Sequence, residues 1–202
     1  MTLWRGKHPL ILASQSRARQ TLLANAGIDF EAVAADIDER AVQQASRLIA
    51  PGEIAAHLAA RKALAVSERR PGQFVVGADQ TLALGDRLFS KPAGRPQAAE
   101  QLRALAGRTH ELHSAVAVVR DGKILFADAT MARMTMRQLG EAEIAAYLDE
   151  AGEAVTSSVG AYQLEGLGVH LFERIEGDHF TILGLPLLQL LAFLRSERLL
   201  AV

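Results

Sequence analysis

Phe74-Val75-Val76-Gly77-Ala78-Asp79-Gln80 is a short apolar run that ends in a carboxylate and an amide. A run of this length reads as a buried strand, and its polar end sits at the mouth of a sheet. The chain continues through residues 81–84, Gly85-Asp86 and residues 87–89. Gly85-Asp86 fits a two-residue hairpin loop, so these segments are expected to pair antiparallel. With that loop, Leu84 faces Arg87. Counting outward brings Gln80 opposite Lys91, with Pro92 ending the strand. The hairpin would thus gather a carboxylate, an amide and an ammonium at one mouth. The plain alternative is a surface Asp–Lys ion pair, which is common and weak.

N-terminal to this stretch, Pro9-Leu10-Ile11-Leu12-Ala13 reads as a second buried strand. It runs into Ser14-Gln15-Ser16-Arg17-Ala18-Arg19, and Leu22, Leu23 and Ala26 follow at helical spacing before a Gly27 stop. A strand, a small polar turn and a helix start together form an anion site: backbone N–H groups and the helix dipole favour negative charge. Ser14 and Ser16 add hydroxyls, and Arg19 adds a planar fork suited to phosphate. The blander alternative, favoured on this segment alone, makes Ser16 an N-cap and leaves the arginines in solvent.

Further strands are expected at 30–35, 109–119, 124–137 and 169–175, with Asp121-Gly122 splitting the middle pair. Helices are expected at 53–68, 96–106, 142–150 and 186–195. Helices alternating with hairpins predict an α/β fold, a mixed twisted sheet flanked by helices, rather than a purely doubly wound one. At 202 residues the chain is expected to form a single domain, 1–202, large enough for a real core.

Composition narrows the function. There is no cysteine, which removes disulfides, thiol nucleophiles and thiolate metal sites and fits a reducing, cytoplasmic setting. No run of about 18 apolar residues exists to span a membrane. A net charge of −1 and 5% aromatic residues argue against nucleic acid as a partner. Asp36, Asp38 and Glu39 crowd one turn and could bind a hard cation, although a solvated acidic turn explains Asp36 and Asp38 as well. Lys62 lies inside an alanine-rich helix, where it could be exposed and idle. The six histidines lack zinc spacing; His110 and His113 fall on opposite strand faces and read as structural. No nucleophile elbow, Walker A motif or GxGxxG is present.

Taken together, Leu10-Ile11-Leu12-Ala13-Ser14-Gln15-Ser16 with Arg19, Asp38-Glu39, Gly77-Ala78-Asp79-Gln80 followed by Lys91-Pro92, and Gly160-Ala161-Tyr162 through Gly184-Leu185-Pro186 resemble the Maf family of nucleotide pyrophosphatases, also called septum-formation inhibitor proteins. The resemblance covers about residues 9–195. It implies a fold with two lobes around a nucleotide cleft. It also implies hydrolysis of a nucleoside triphosphate to the monophosphate and pyrophosphate with a divalent cation, Mg²⁺ or Mn²⁺. By motif position Asp79 corresponds to the family's proton acceptor. Ser14, Arg19, Glu39, Lys62 and Lys91 match its phosphate- and metal-handling positions, so Asp79 and Lys91 are expected to be catalytic and Glu39 and Asp79 to hold the metal. Ser14, Ser16, Arg19, Lys62, Gln80 and Glu165 are expected to bind substrate. The alternative is a non-catalytic nucleotide-binding regulator of cell division; the assembly is left open, with a homodimer among the candidates.

The sequence departs from the family pattern at Ala18, where the first arginine of a pair usually stands, and at Ser157-Ser158-Val159. Gln80 and Glu165 replace the Thr and Gln typical of members acting on dTTP and UTP. With Leu171-Phe172-Glu173-Arg174 they resemble the branch acting on 7-methyl-GTP.

Overall fold

The computed structural model describes residues 3–202. Its tertiary contacts divide the chain into two compact units. Unit 1 comprises Met1–Gln80, Ser114–Thr130 and His179–Val202; unit 2 comprises Thr81–His113 and Met131–Asp178. The strands form one seven-stranded mixed sheet. They are β1 (Leu10–Leu12), β2 (Phe30–Ala32), β3 (Val75–Leu84), β4 (Arg87–Phe89), β5 (Thr109–Arg120), β6 (Lys123–Met136) and β7 (Phe172–Glu176). Their order is β2-β1-β3-β5-β6-β7, with β4 attached to β3. β1 runs parallel to β2 and β3, while the β3–β4 and β6–β7 pairs are antiparallel. The expected α/β mixed sheet is therefore what the chain forms.

In unit 1 the sheet is covered on both faces, and strand parity decides which residues meet which helix. Leu10, Leu12, Val76, Ala78, Val116 and Val118 pack with Leu22 and Leu23 of α1 (Arg17–Asn25) and Leu190 and Leu194 of α7 (Leu187–Ser196). The alternate residues face α3 (Pro51–Ser67). Ile11, Ala13, Val75 and Val119 meet Ala63 and Val66, while Ala115 and Ala117 meet Ala55 and Ala59. Small residues on α3 allow a close approach, and Gly77 makes it closer. A Cβ there would lie 2.1 Å from the Ala59 carbonyl oxygen and 2.8 Å from the Ala63 nitrogen. Gly77 thus seats the α3 backbone directly on β3. Residues near the two ends of the sequence also meet in this unit. Trp4 bridges Leu200, flanked by bonds from Arg5 N to Leu199 O (2.9 Å) and from Ala201 N to Leu3 O (3.0 Å).

Unit 2 has its own core, with Leu82, Leu102, Leu105, Leu112, Met134 and Met136 fully buried. Its helices are α4 (Arg95–Leu105), with proline in the first turn, and α5 (Glu141–Ala151). The hairpin loop is Gly85-Asp86 and Leu84 pairs with Arg87, as the sequence arithmetic requires. The ladder stops, however, at Leu82–Phe89, short of the Gln80–Lys91 rung that the same arithmetic projects.

Three differences from the sequence expectations have local causes. β3 is one continuous strand rather than two segments. Residues 167–171 form a 3₁₀ turn instead of the start of a strand, because Gly168 packs on the backbone of Gln163, 2.4 Å from its oxygen to a would-be Cβ. Two short helices were not anticipated, α2 (Glu39–Ser46) and α6 (His179–Ile182). α2 starts where Asp38 accepts a bond from Ala41 N at 3.0 Å, an N-cap that turns the acidic stretch into a helix start.

Candidate active site

Three charged side chains from separate elements of unit 1 converge. Lys62 lies on α3, Asp79 on β3, and Glu39 begins α2. Lys62 Nζ donates to Asp79 Oδ1 at 2.6 Å and pairs with Glu39 Oε1 at 2.9 Å. One ammonium therefore bridges two carboxylates. Parity explains the geometry: Asp79 shares a strand face with Val75 and Gly77, the face that meets α3. Close packing of Ala59 and Ala63 on Gly77 brings Lys62 into reach of Asp79. Lys62 is 7% exposed, so the exposed and idle alternative fails.

Asp79 is 6% exposed, and burial pushes its carboxyl above the ordinary range. The neighbouring charges of Lys62 and Arg19 and the Lys62 hydrogen bond pull against that rise, while Glu39 adds to it. Glu39 is more open, with about half its side chain in solvent (54%). The site thus has a buried carboxylate and a wet one joined by a buried cation.

Arg19 is buried too, which departs from the solvated alternative. Its Nε donates to Gly184 O at 2.7 Å, and its Nη1 donates to Ala78 O at 2.8 Å and Ser14 Oγ at 3.1 Å. Burial lowers its pKa, and the charges of Asp79 and Glu39 oppose that. Ser14 Oγ also accepts from Ser16 N at 3.2 Å. Ser16 occupies the N-cap position of α1, but its side chain makes no capping bond. Ser14, Ser16 and Arg19 therefore lie together, with two nitrogens of the Arg19 fork held by the protein's own acceptors.

Gln80 points to the other face of β3. Its Nε2 donates to Ser114 Oγ (3.0 Å), Thr181 O (3.1 Å) and Ile182 O (2.9 Å). Ser114 Oγ itself donates to Thr181 O at 2.6 Å, and the Thr130 and Thr181 hydroxyls lie 2.7 Å apart. Sequence reading missed this polar cluster. Ser114 and Thr130 sit inside apolar strands, and only the fold reveals that α6 ends against them.

Lys91 and Glu165 belong to unit 2. Lys91 is exposed just beyond β4, and Glu165 is exposed in the turn after Gln163. Arg174 pairs with Glu176 at 3.2 Å, not with Glu165. Of the other acidic candidates, Asp36 pairs with Arg69 at 2.9 Å and Asp38 caps α2. His113 faces Glu111 at 3.1 Å, and His110 packs into the unit 2 interior.

Two carboxylates held by one ammonium match the donor chemistry of a hard divalent cation that completes its shell with phosphate oxygens and water. Among the described residues no cluster of three or more His, Cys, Asp or Glu forms a fully protein-built cage. Glu39 and Asp79 could supply two oxygen ligands to a hard divalent cation.

A protein of Bradyrhizobium diazoefficiens named nucleoside triphosphate pyrophosphatase is 72% identical over 202 residues, covering 100% of both chains. A protein of Brucella abortus named 7-methyl-GTP pyrophosphatase is 51% identical over 191 residues, covering 94% of this chain and 96% of its own. The solved structure of a HAM1 protein from Coxiella burnetii overlaps 63% of this chain and 72% of its own, at 16% identity and a TM-score of 0.44. The family model described as Maf-like protein matches residues 9–197. The chain belongs to the Maf family.

Proposed function

We propose that this protein is a nucleoside triphosphate pyrophosphatase that hydrolyses its substrate to the monophosphate and pyrophosphate. The relatives' names support the reaction class, and one observation carries the chemistry: a buried carboxylate, Asp79, paired to a buried ammonium beside an exposed carboxylate. Burial raises Asp79, which brings a weak base nearer the range where it can take a proton from attacking water. Lys62 holds the carboxylate in place, and its third N–H is suited to a phosphate oxygen. Glu39 and Asp79 would hold the divalent cation, which when bound neutralises charge developing on the leaving pyrophosphate. Ser14, Ser16 and the start of α1 supply hydroxyl and backbone donors for an anion. Lys91 is assigned a phosphate contact through its motif position. A pure nucleotide-binding regulator has no need of a buried base beside its anion site.

The finer reading is a guanine-type base, 7-methylated at best. Glu165 offers two acceptor oxygens, which suit the N1–H and 2-amino group of guanine. Methylation at N7 adds a positive charge that a carboxylate favours. Thymine and uracil present one ring N–H between two carbonyls, which a carboxylate repels. The setting is taken to be cytoplasmic, where such nucleotides occur; no described helix is long and apolar enough to cross a membrane. A panel of 7-methyl-GTP, GTP, dTTP and UTP with Mg²⁺ or Mn²⁺, read by pyrophosphate release, tests both levels. The expected order places the guanine nucleotides first. Faster cleavage of dTTP or UTP would sink the base assignment, and no release from any nucleotide would sink the reaction.

A further inference from the structure

The β3–β4 ladder ends at the Leu82–Phe89 rung, and Lys91 lies two residues further on, with Pro92 buried after it. A segment that leaves a sheet needs other partners for its backbone, and proline supplies no N–H. Helix α4 provides two such partners. Gln101 Nε2 donates to Ser90 O at 2.8 Å, and Gln97 Oε1 accepts from Ala93 N at 2.7 Å. The two glutamines stand one turn apart, so they share a face of α4 and clasp Lys91-Pro92 between them.

Gln101 also reaches the other way. It is 4% exposed, and its Oε1 accepts from Gly160 N at 3.1 Å. Gly160 opens a turn packed on the end of the same ladder, where a Cβ would lie 2.6 Å from Leu82 Cδ1. Gly160 has φ +80° and Ala161 φ +62°, a left-handed conformation that alanine resists, so the turn depends on contacts from outside. Gln101 supplies one at Gly160 N, and the Tyr147 hydroxyl supplies another by donating to Ala161 O at 3.1 Å. The chain then passes to Glu165, in a turn closed by Gly166 N donating to Gln163 O at 3.2 Å. One buried amide therefore holds the residue before Lys91 with its donor, and the turn leading to Glu165 with its acceptor.

We propose that Gln101 is a positioning residue that fixes Lys91 and the Glu165 turn relative to one another, with Gln97 as a second support for Lys91 alone. An amide suits the place because it offers a donor and an acceptor on one fork. A carboxylate would set a lone pair against the Ser90 carbonyl, and a thioether would leave both backbone groups without their partner. The inference rests on the proposed pyrophosphatase, in which Lys91 meets phosphate and Glu165 meets the base. Those contacts address opposite ends of a nucleotide, so the spacing of their supports decides how well one molecule satisfies both. Asp79, Lys62 and Glu39 belong to unit 1 and take their bonds from one another. Loosening the clasp therefore weakens substrate binding and leaves the reacting carboxylate in place.

The test compares wild type with Gln101→Met and Gln97→Met, which keep side-chain length and remove the hydrogen bonds. KM and kcat are measured by pyrophosphate release from 7-methyl-GTP and dTTP with Mg²⁺. In Gln101→Met, KM for 7-methyl-GTP is expected to rise about tenfold with kcat within about twofold of wild type, and the preference over dTTP to narrow. Gln97→Met should raise KM about threefold for both nucleotides and leave the preference as it is, because it supports Lys91 and not the turn. A role in stability alone would lower the amount of folded enzyme, and hence kcat, at an unchanged KM. An unchanged KM in either folded variant, or an unchanged base preference in Gln101→Met, overturns the proposal. Should Gln101→Met fail to fold, Gln97→Met, at an exposed position of α4, decides by the KM criterion. Amide hydrogen exchange at Gly160 gives a second reading that needs no turnover. Faster exchange in Gln101→Met is expected, and unchanged protection counts against the clasp. If wild type itself releases no pyrophosphate, the functional reading fails while exchange still judges the clasp. A wild type with no preference for 7-methyl-GTP fails the base reading alone, and KM and exchange still decide.

Discussion

Unit 1 and unit 2 each bury a polar pair, and they stabilise it in opposite ways. In unit 1, Asp79 and Lys62 form a buried ion pair, held at 2.6 Å with Glu39 completing the group. In unit 2, His110 and Tyr162 are buried and neutral, with Nε2 and the hydroxyl 2.7 Å apart. Phe172 packs on both rings, at 4.7 Å from Tyr162 and 5.9 Å from His110 between centroids. Burial acts on both pairs by opposing charge. It raises Asp79 against its cationic neighbours, lowers His110 to about 4 with nothing to oppose it, and raises the Tyr162 phenol well above its ordinary value. Keeping a charge inside requires three elements arranged around it; keeping a neutral pair inside requires only an apolar wall. The first arrangement suits a reacting centre, and the second suits a core.

The largest break in that contrast is expected from Asp79→Asn. The amide preserves shape but can neither take a proton nor carry charge. Turnover should fall by about a thousandfold or more while circular dichroism stays unchanged. A kcat near wild type would remove the base or metal role. Lys62→Met comes next. It leaves Asp79 buried without its cation, and one-sided removal of a buried pair costs about 3–5 kcal/mol of stability. A chemical denaturation midpoint at neutral pH measures it, and a loss under 1 kcal/mol would mean that solvent reaches Asp79 freely.

The neutral pair answers to pH instead. His110 has an ordinary value of 6.5 and sits at about 4 in the fold. Between those values the unfolded chain binds a proton that the folded chain does not. Stability therefore falls as pH drops through that window and levels off below it, with a limiting slope of about 1.4 kcal/mol per pH unit. His110→Phe should flatten this share of the slope; equal slopes in the two proteins would disprove it. The smallest effect belongs to Tyr162→Phe. His110 Nδ1 already has no hydrogen-bond partner, and this change strips Nε2 of its partner as well. A cost of about 1–2 kcal/mol is expected, with pyrophosphate release unaltered at assay temperature. A larger loss of rate than of stability would tie unit 2's interior to the chemistry.

Much of this was legible in the sequence where local pattern and tertiary need agree. The strand ending at Asp79, the Gly85-Asp86 loop and the helix over α3 follow from apolar runs, turn residues and an alanine-rich segment with no breaker. Glu39, Lys62 and Asp79 were expected at the site through motif resemblance, yet nothing in Lys62's own surroundings in sequence distinguishes a buried bridge from a solvent lysine. Only the fold sets it between two carboxylates. Gln80 was expected to bind substrate through its place at the strand mouth and its likeness to the branch acting on 7-methyl-GTP. Strand parity, which could have been counted, sends it to the opposite face. The hairpin register was right, but the projection to Lys91 assumed that β4 continues past Phe89, and it does not. α2 escaped because eight residues with no fully buried side chain carry little periodic signal, and its one clear marker is the Asp38 cap. His110 read as structural, and the fold buries it against Tyr162 and Phe172.

The Trp4–Leu200 bridge and the bond from Arg19 to Gly184, which spans 165 residues, have a consequence for how the protein is made. The core of unit 1 draws on residues near both ends of the sequence, including Leu10, Leu12, Leu190 and Leu194. Until α7 is made, β1 and β3 lack the helix that covers one sheet face. The core of unit 1 therefore cannot close before α7 is made, and a chain lacking α7 leaves that apolar sheet face uncovered. Contacts of such long sequence separation slow folding and lengthen exposure to aggregation. Truncations within α7 should consequently show up first as poor recovery of soluble protein from the cell, before any defect in turnover can be measured.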